Sequence, residues 1–90
     1  MSDRTDEDAL GLAALGTAVR TLRARADLSA DELAERAEVD PALLSGLESG
    51  RQEPTWGDLR RIARGLETPL EQLLGLAESL ERADPGGPAA

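Results

Sequence analysis

The stretch from Ser29 to Gly50 leaves this chain few choices, because it holds two helix starts and a stop with almost no chain between them. Ser29 followed three residues later by Glu32 forms a capping box, in which the hydroxyl takes an orphan N–H and the carboxylate reaches back. Leu33, Ala34 and Ala37 then fall at helical spacing. Asp40-Pro41 is a second start, with an acidic N-cap and a proline at the first helical position. Leu44 and Leu47 give this second helix its apolar stripe, and Gly50 suits the left-handed residue that ends it. A join of only about three residues forces two such helices to cross at a steep angle.

Three more helices are legible around this pair. Leu12, Leu15, Val19, Leu22 and Ala26 recur at steps of three and four, predicting an amphipathic helix from Leu10 to Ala26 that Asp27-Leu28 ends. Gly11 and Gly16 each weaken it by roughly 1 kcal/mol relative to alanine. After the polar connection Arg51–Pro54, Thr55 and Asp58 make a weaker capping box, and Leu59, Ile62, Ala63 and Leu66 supply an inward face. Thr68-Pro69-Leu70-Glu71 combines cap, N1 proline and N3 glutamate ahead of Leu70, Leu73, Leu74, Ala77 and Leu80. The expected organisation is an acidic N-terminal tail over residues 1–9, one all-α, compact five-helix domain over 10–82, and a disordered tail over 83–90. Thr5-Asp-Glu-Asp8 offers a possible earlier start for the first helix.

Composition removes several function classes. With 90 residues the chain makes one small domain, and without cysteine it has neither disulfides nor thiolate metal sites, which suits a reducing cytoplasm. No apolar run approaches the ~18 residues of a membrane span. The absence of histidine takes away the commonest general base and zinc ligand, and no lysine stands in as a base for the serines. Carboxylate pairs such as Asp31 and Glu35 lie at helix-surface spacing and need no metal to explain them. Neither catalysis nor a cofactor is expected. One tryptophan as the sole aromatic argues against stacking on unpaired bases. The 10 basic and 18 acidic residues leave a charge of −8, the wrong sign for strong non-specific binding of DNA. Part of that excess is local, in Asp3, Asp6, Glu7 and Asp8, so the helical body is only mildly acidic. All ten basic residues are arginine, which with the abundant Ala, Leu, Gly and Glu hints at a GC-rich bacterial genome.

The run Leu15-Gly-Thr-Ala-Val-Arg20-Thr-Leu-Arg23, with Leu28-Ser29, Glu32-Leu33-Ala34, Val39, Leu44-Ser45, Leu47-Glu48-Ser49-Gly50, Pro54, Leu59, Ile62-Ala63 and Leu66, resembles a known family. It is the lambda repressor and Cro-like helix-turn-helix family, the xenobiotic-response-element type of bacterial and phage regulators. The likeness covers about residues 13–75, in order and spacing. It implies five helices, the third lying in the DNA major groove, in a transcription regulator that is usually a dimer. It also implies that Arg23 and Glu48 pair between the first helix and the end of the third, and that Gly50 and Pro54 are scaffold residues.

The same resemblance assigns base edges to Pro41, Ala42, Leu43, Ser45 and Gly46 of a recognition helix at about 41–48. Direct readout draws on arginine or lysine for guanine and on asparagine or glutamine for adenine, and none of those occurs in this set. Ser45 can bond to several bases, while Ala42 or Leu43 can touch a thymine methyl. Ala30 stands where the family often has a phosphate-binding glutamine. The remaining anchors for phosphate are Ser29, Ser49, Arg51 and the N–H groups opening the second and third helices. Asp31, Glu38 and Asp40 bring the wrong sign, and Arg36 with its acidic neighbours reads as a solvated face. Arg60, Arg61 and Arg64 also read as a solvated cluster, and Trp56 as a packing residue of the fourth helix.

Two functions follow. The first is a regulator binding double-stranded DNA weakly and in a salt-dependent way, with a homodimer contact through the helix at 69–82. The second is a helix-turn-helix domain turned to a protein partner, docked on the small apolar face Pro41-Ala42-Leu43-Gly46.

Overall fold

The computed structural model describes the backbone of residues 3–83 and side chains from Gly11 to Arg82. Five helices follow one another: α1 (Asp3–Arg25), α2 (Ala30–Ala37), α3 (Pro41–Glu48), α4 (Trp56–Gly65) and α5 (Leu70–Ala83). No strand occurs among the described residues. The all-α five-helix architecture expected from the sequence is the one observed.

Three of the expected starts have the expected chemistry. Glu32 N–H donates to Ser29 Oγ at 3.0 Å while Ser29 N–H donates to Glu32 Oε1 at 2.8 Å. Thr55 and Asp58 repeat this reciprocal cap at 2.9 and 3.0 Å. Asp40 Oδ1 accepts from Ala42 N–H at 2.8 Å, with Pro41 as first helical residue. The fifth start differs: α5 begins at Leu70, and the Thr68 hydroxyl donates backwards to the Leu66 carbonyl. Thr68 therefore closes α4 instead of opening α5. The first start differs too. Helix α1 begins at Asp3, so residues 3–9 of the expected tail are helical. The tail expected over 83–90 starts later than expected, since α5 includes Ala83, and residues 84–90 lie outside the described residues.

The ends of α1 to α4 share one device. Asp27, Glu38 and Glu67 have φ of 61°, 59° and 54°, and Gly50 has 75°. At each, the next N–H reaches back to a carbonyl inside the helix: Leu28 to Arg23, Val39 to Ala34, Arg51 to Gly46 and Thr68 to Ala63. Only Gly50 advertises this conformation in the sequence, since acidic residues adopt it at a cost. Glu38 turns the chain, Val39 is buried and Asp40 caps α3, which sets the crossing of α2 and α3.

The core gathers Val19 and Leu22 of α1, Leu33 of α2, Leu44 and Leu47 of α3, Ile62 of α4 and Leu73 of α5. Ala18 is also buried, whereas Ala26, expected to continue the α1 stripe, is exposed just beyond that helix. Helix α1 lies along α5 and also touches α3, while α2 packs on α4. One backbone contact is close enough to need glycine, and a second is tight. A Cβ on Gly16 would fall on the Leu47 carbonyl oxygen, and one on Gly65 would lie 3.1 Å from both Ala37 N and Leu33 Cδ1.

Candidate nucleic-acid interface

Helix α3 is fixed from behind by an ion pair. Arg23 Nε donates to Glu48 Oε2 at 2.8 Å and its Nη2 to Oε1 at 2.9 Å, while Nη1 donates to the Leu28 carbonyl at 3.0 Å. The two side chains are only 18% and 10% exposed, so this is a structural fork, not a surface bridge. The hydrogen bonds to Glu48 hold the Arg23 guanidinium above its usual pKa, against the opposing pull of burial. Gly16 lets the α1 backbone approach α3 beside this pair.

With Leu44 and Leu47 turned inward, α3 presents Ala42, Ser45 and Ser49 as an exposed row, with Gly46 half-buried beside them. Pro41 is exposed at the start of the helix. Leu43 is half-buried against the core, so only part of it faces outward. The five expected readers thus share one short helix, and three of them, Pro41, Ala42 and Ser45, are exposed on it.

The expected phosphate anchors are less open than their residue types suggest. The Ser29 hydroxyl is engaged in the α2 cap. The Ala42 N–H is taken by Asp40, and Pro41 has none to offer, so the opening of α3 is sealed by a carboxylate. The Ser49 hydroxyl lies 3.0 and 3.1 Å from the carbonyls of Ser45 and Gly46 and turns its proton back onto the helix. Arg51 Nε donates to Ser49 Oγ at 3.4 Å, which leaves the rest of the guanidinium beside the row. Ala30, half-buried in the first turn of α2, adds no donor of its own.

Of the α4 arginines, Arg61 lies 3.7 Å from Asp58 and Arg64 lies 3.5 Å from Glu38, both at exposed positions worth little to stability. Trp56 departs from expectation: it is 63% exposed. The inward positions of α4 begin one turn later, at Leu59, so the indole stands at the helix opening instead of packing.

One residue of this surface escaped the sequence reading. Gln52 follows the turn after α3, and a Cβ on Gly46 would meet its Cβ at 2.8 Å and its Oε1 at 3.0 Å. The Gln52 side chain thus lies over the gap that Gly46 leaves in α3. The signal was present as a glycine inside α3 followed by an amide just past its end, but no local rule connects the two.

Comparison with known proteins agrees with this geometry. Residues 14–76 match the profile of a family described as a helix-turn-helix domain. Two structures of the clp gene regulator ClgR from Corynebacterium glutamicum are similar. One has a TM-score of 0.72 at 35% identity, covering 77% of this chain and 90% of that one. The other has 0.78 at 33% identity, covering 81% and 78%. The restriction-modification controller protein C.AhdI from Aeromonas hydrophila follows, with 0.67 at 26% identity, covering 69% and 94%. No curated protein sequence gives a match.

Proposed function

The chain belongs to the lambda repressor and Cro-like helix-turn-helix family, and we propose that it is a DNA-binding transcription regulator with α3 as its recognition helix. The observation that carries this reading is the outer row of α3, exposed to solvent, held from behind by the Arg23–Glu48 fork and flanked by Arg51. Its relatives ClgR and C.AhdI are a gene regulator and a restriction-modification controller. No described helix is long and apolar enough to cross a membrane. A bacterial cytoplasmic regulator is the coherent reading.

Binding is expected to be weak and steeply salt-dependent, because few cations face the docking surface and the whole chain carries −8. Ala30 limits it at the opening of α2. Ala30→Gln is expected to tighten binding to any duplex roughly tenfold, the low end of what a hydrogen bond to a charged acceptor is worth. The slope of affinity against salt should stay unchanged, since no charge is added. Equal affinities of the two proteins across a salt series would count against this docking pose. Salt-insensitive binding of a protein through Pro41, Ala42, Leu43 and Gly46 would favour the rival reading.

A homodimer through α5 completes the proposal. Leu73 and Ala77 are buried in the monomer, whereas Leu74, Leu76 and Leu80 keep partly exposed surface. The helix also continues to Ala83, past the end of the family match at residue 76. Two recognition helices set ~34–36 Å apart would give a weak reader two half-sites. Sedimentation at tens of micromolar is expected to find a wild-type dimer and a Leu80→Glu monomer; a wild-type monomer would remove the dimer from the account.

A further inference from the structure

The expected readers Pro41, Ala42, Leu43, Ser45 and Gly46 include no side chain able to pair bidentately with a base. Gln52 supplies one from outside the helix. Its backbone is tied to α3, with Gln52 N–H donating to the Gly46 carbonyl at 3.1 Å beside the bond from Arg51 N–H at 2.8 Å. Its side chain crosses the bare Cα of Gly46, where a Cβ would stand 2.8 Å from Gln52 Cβ and 3.0 Å from Oε1. Among the described residues, no side-chain hydrogen bond engages the Gln52 amide, and the residue is exposed. The nearby hydroxyl of Ser49, by contrast, has turned its proton onto the helix carbonyls.

We propose that Gln52 is the specificity-determining residue of this surface, reading an adenine in the major groove through the space that Gly46 leaves open. This inference rests on the DNA-binding reading and deepens it by naming the base. A glutamine amide offers one acceptor and one donor in the arrangement that adenine N6 and N7 require. A guanine, with two acceptors on that edge, fits it poorly. The exposed methyl of Ala42 suits a thymine methyl in the same groove. The half-site chemistry is therefore A·T, with its defining adenine opposite the C-terminal half of α3.

The test is to enrich bound fragments from a random-sequence duplex pool with the wild type, Gln52→Ala and Gly46→Ala. Circular dichroism and melting of all three serve to confirm that they fold. The wild type is expected to select an A·T pair at one position of each half-site. Gln52→Ala should lose that preference, with about a tenfold loss of affinity for the selected site against its G·C variant. Gly46→Ala should lose the same preference, because its methyl would stand 2.8 Å from Gln52 Cβ and push residue 52 out of place, at some cost in melting temperature. An unchanged preference in Gln52→Ala overturns the inference and leaves the DNA-binding reading standing. So does an equal loss on every sequence, which would make Gln52 a phosphate anchor. A wild type that retains no duplex at low salt overturns both.

Discussion

Glu48→Lys is expected to cost about 3 kcal/mol, the low end of the range for removing one partner of a buried ion pair, because this pair is partly buried. Against the roughly 5–15 kcal/mol that holds a small domain together, this takes the protein close to unfolding at room temperature. The fork loses two short hydrogen bonds, and a second cation replaces the acceptor in a site where the partner side chains are 18% and 10% exposed. Salt should recover little of the loss, since partly buried charges are poorly screened. Exchanging the two residues should not rescue it either: Arg23 also donates to the Leu28 carbonyl, and a carboxylate in its place would face that oxygen. Thermal melts at several salt concentrations decide the matter. An unchanged melting temperature would rule out a structural role for the pair.

The second large effect is Gly16→Ala. Alanine improves helix propensity by ~1 kcal/mol, yet a net loss of about 2 kcal/mol or more is expected. The new methyl would fall on the Leu47 carbonyl oxygen and lie 3.1 Å from that of Glu48, and backbone cannot step aside as a flexible side chain does. Helices α1 and α3 would have to separate where Arg23 meets Glu48, so Gly16→Ala and Glu48→Lys should combine non-additively. Gly75 is the control, because nothing lies within 4 Å of a Cβ placed there. In that exposed stretch of α5, Gly75→Ala is expected to raise stability by about 0.5–1 kcal/mol. Chemical denaturation of the three proteins would show opposite signs for one chemical change. A stabilised Gly16→Ala would mean that α1 and α3 do not approach as described.

These two glycines mark the limit of what could be read from the chain. As a residue type, Gly16 registers only as a weak point in a helix; its reason is a neighbour on α3, which no window of sequence contains. The caps at Ser29, Asp40 and Thr55 were legible because each is closed by residues within three positions. The pairing of Arg23 with Glu48 came from family likeness, not from periodicity. The left-handed ends at Asp27, Glu38 and Glu67 were hidden because tertiary packing, with Leu28 and Val39 buried just after two of them, overrides an unfavourable residue type.

The candidate surface was legible as a place and only partly as chemistry. That Ala42, Ser45 and Gly46 share the outer side of α3 follows from the positions of Leu44 and Leu47. The engagement of Ser29 and Ser49 with backbone, and the crossing of Gln52 over Gly46, depend on rotamers and on a turn. Residue types alone do not determine either.

The claim at the centre of this account is that α3 reads duplex DNA. Enrichment of wild-type-bound fragments from a random or genomic pool at low salt tests it most directly. A reproducible inverted repeat is expected, its half-sites about one helical turn apart and its recovery falling steeply as salt is raised. Fragments no more alike than the unbound pool, at the lowest salt that keeps the protein in solution, would contradict it.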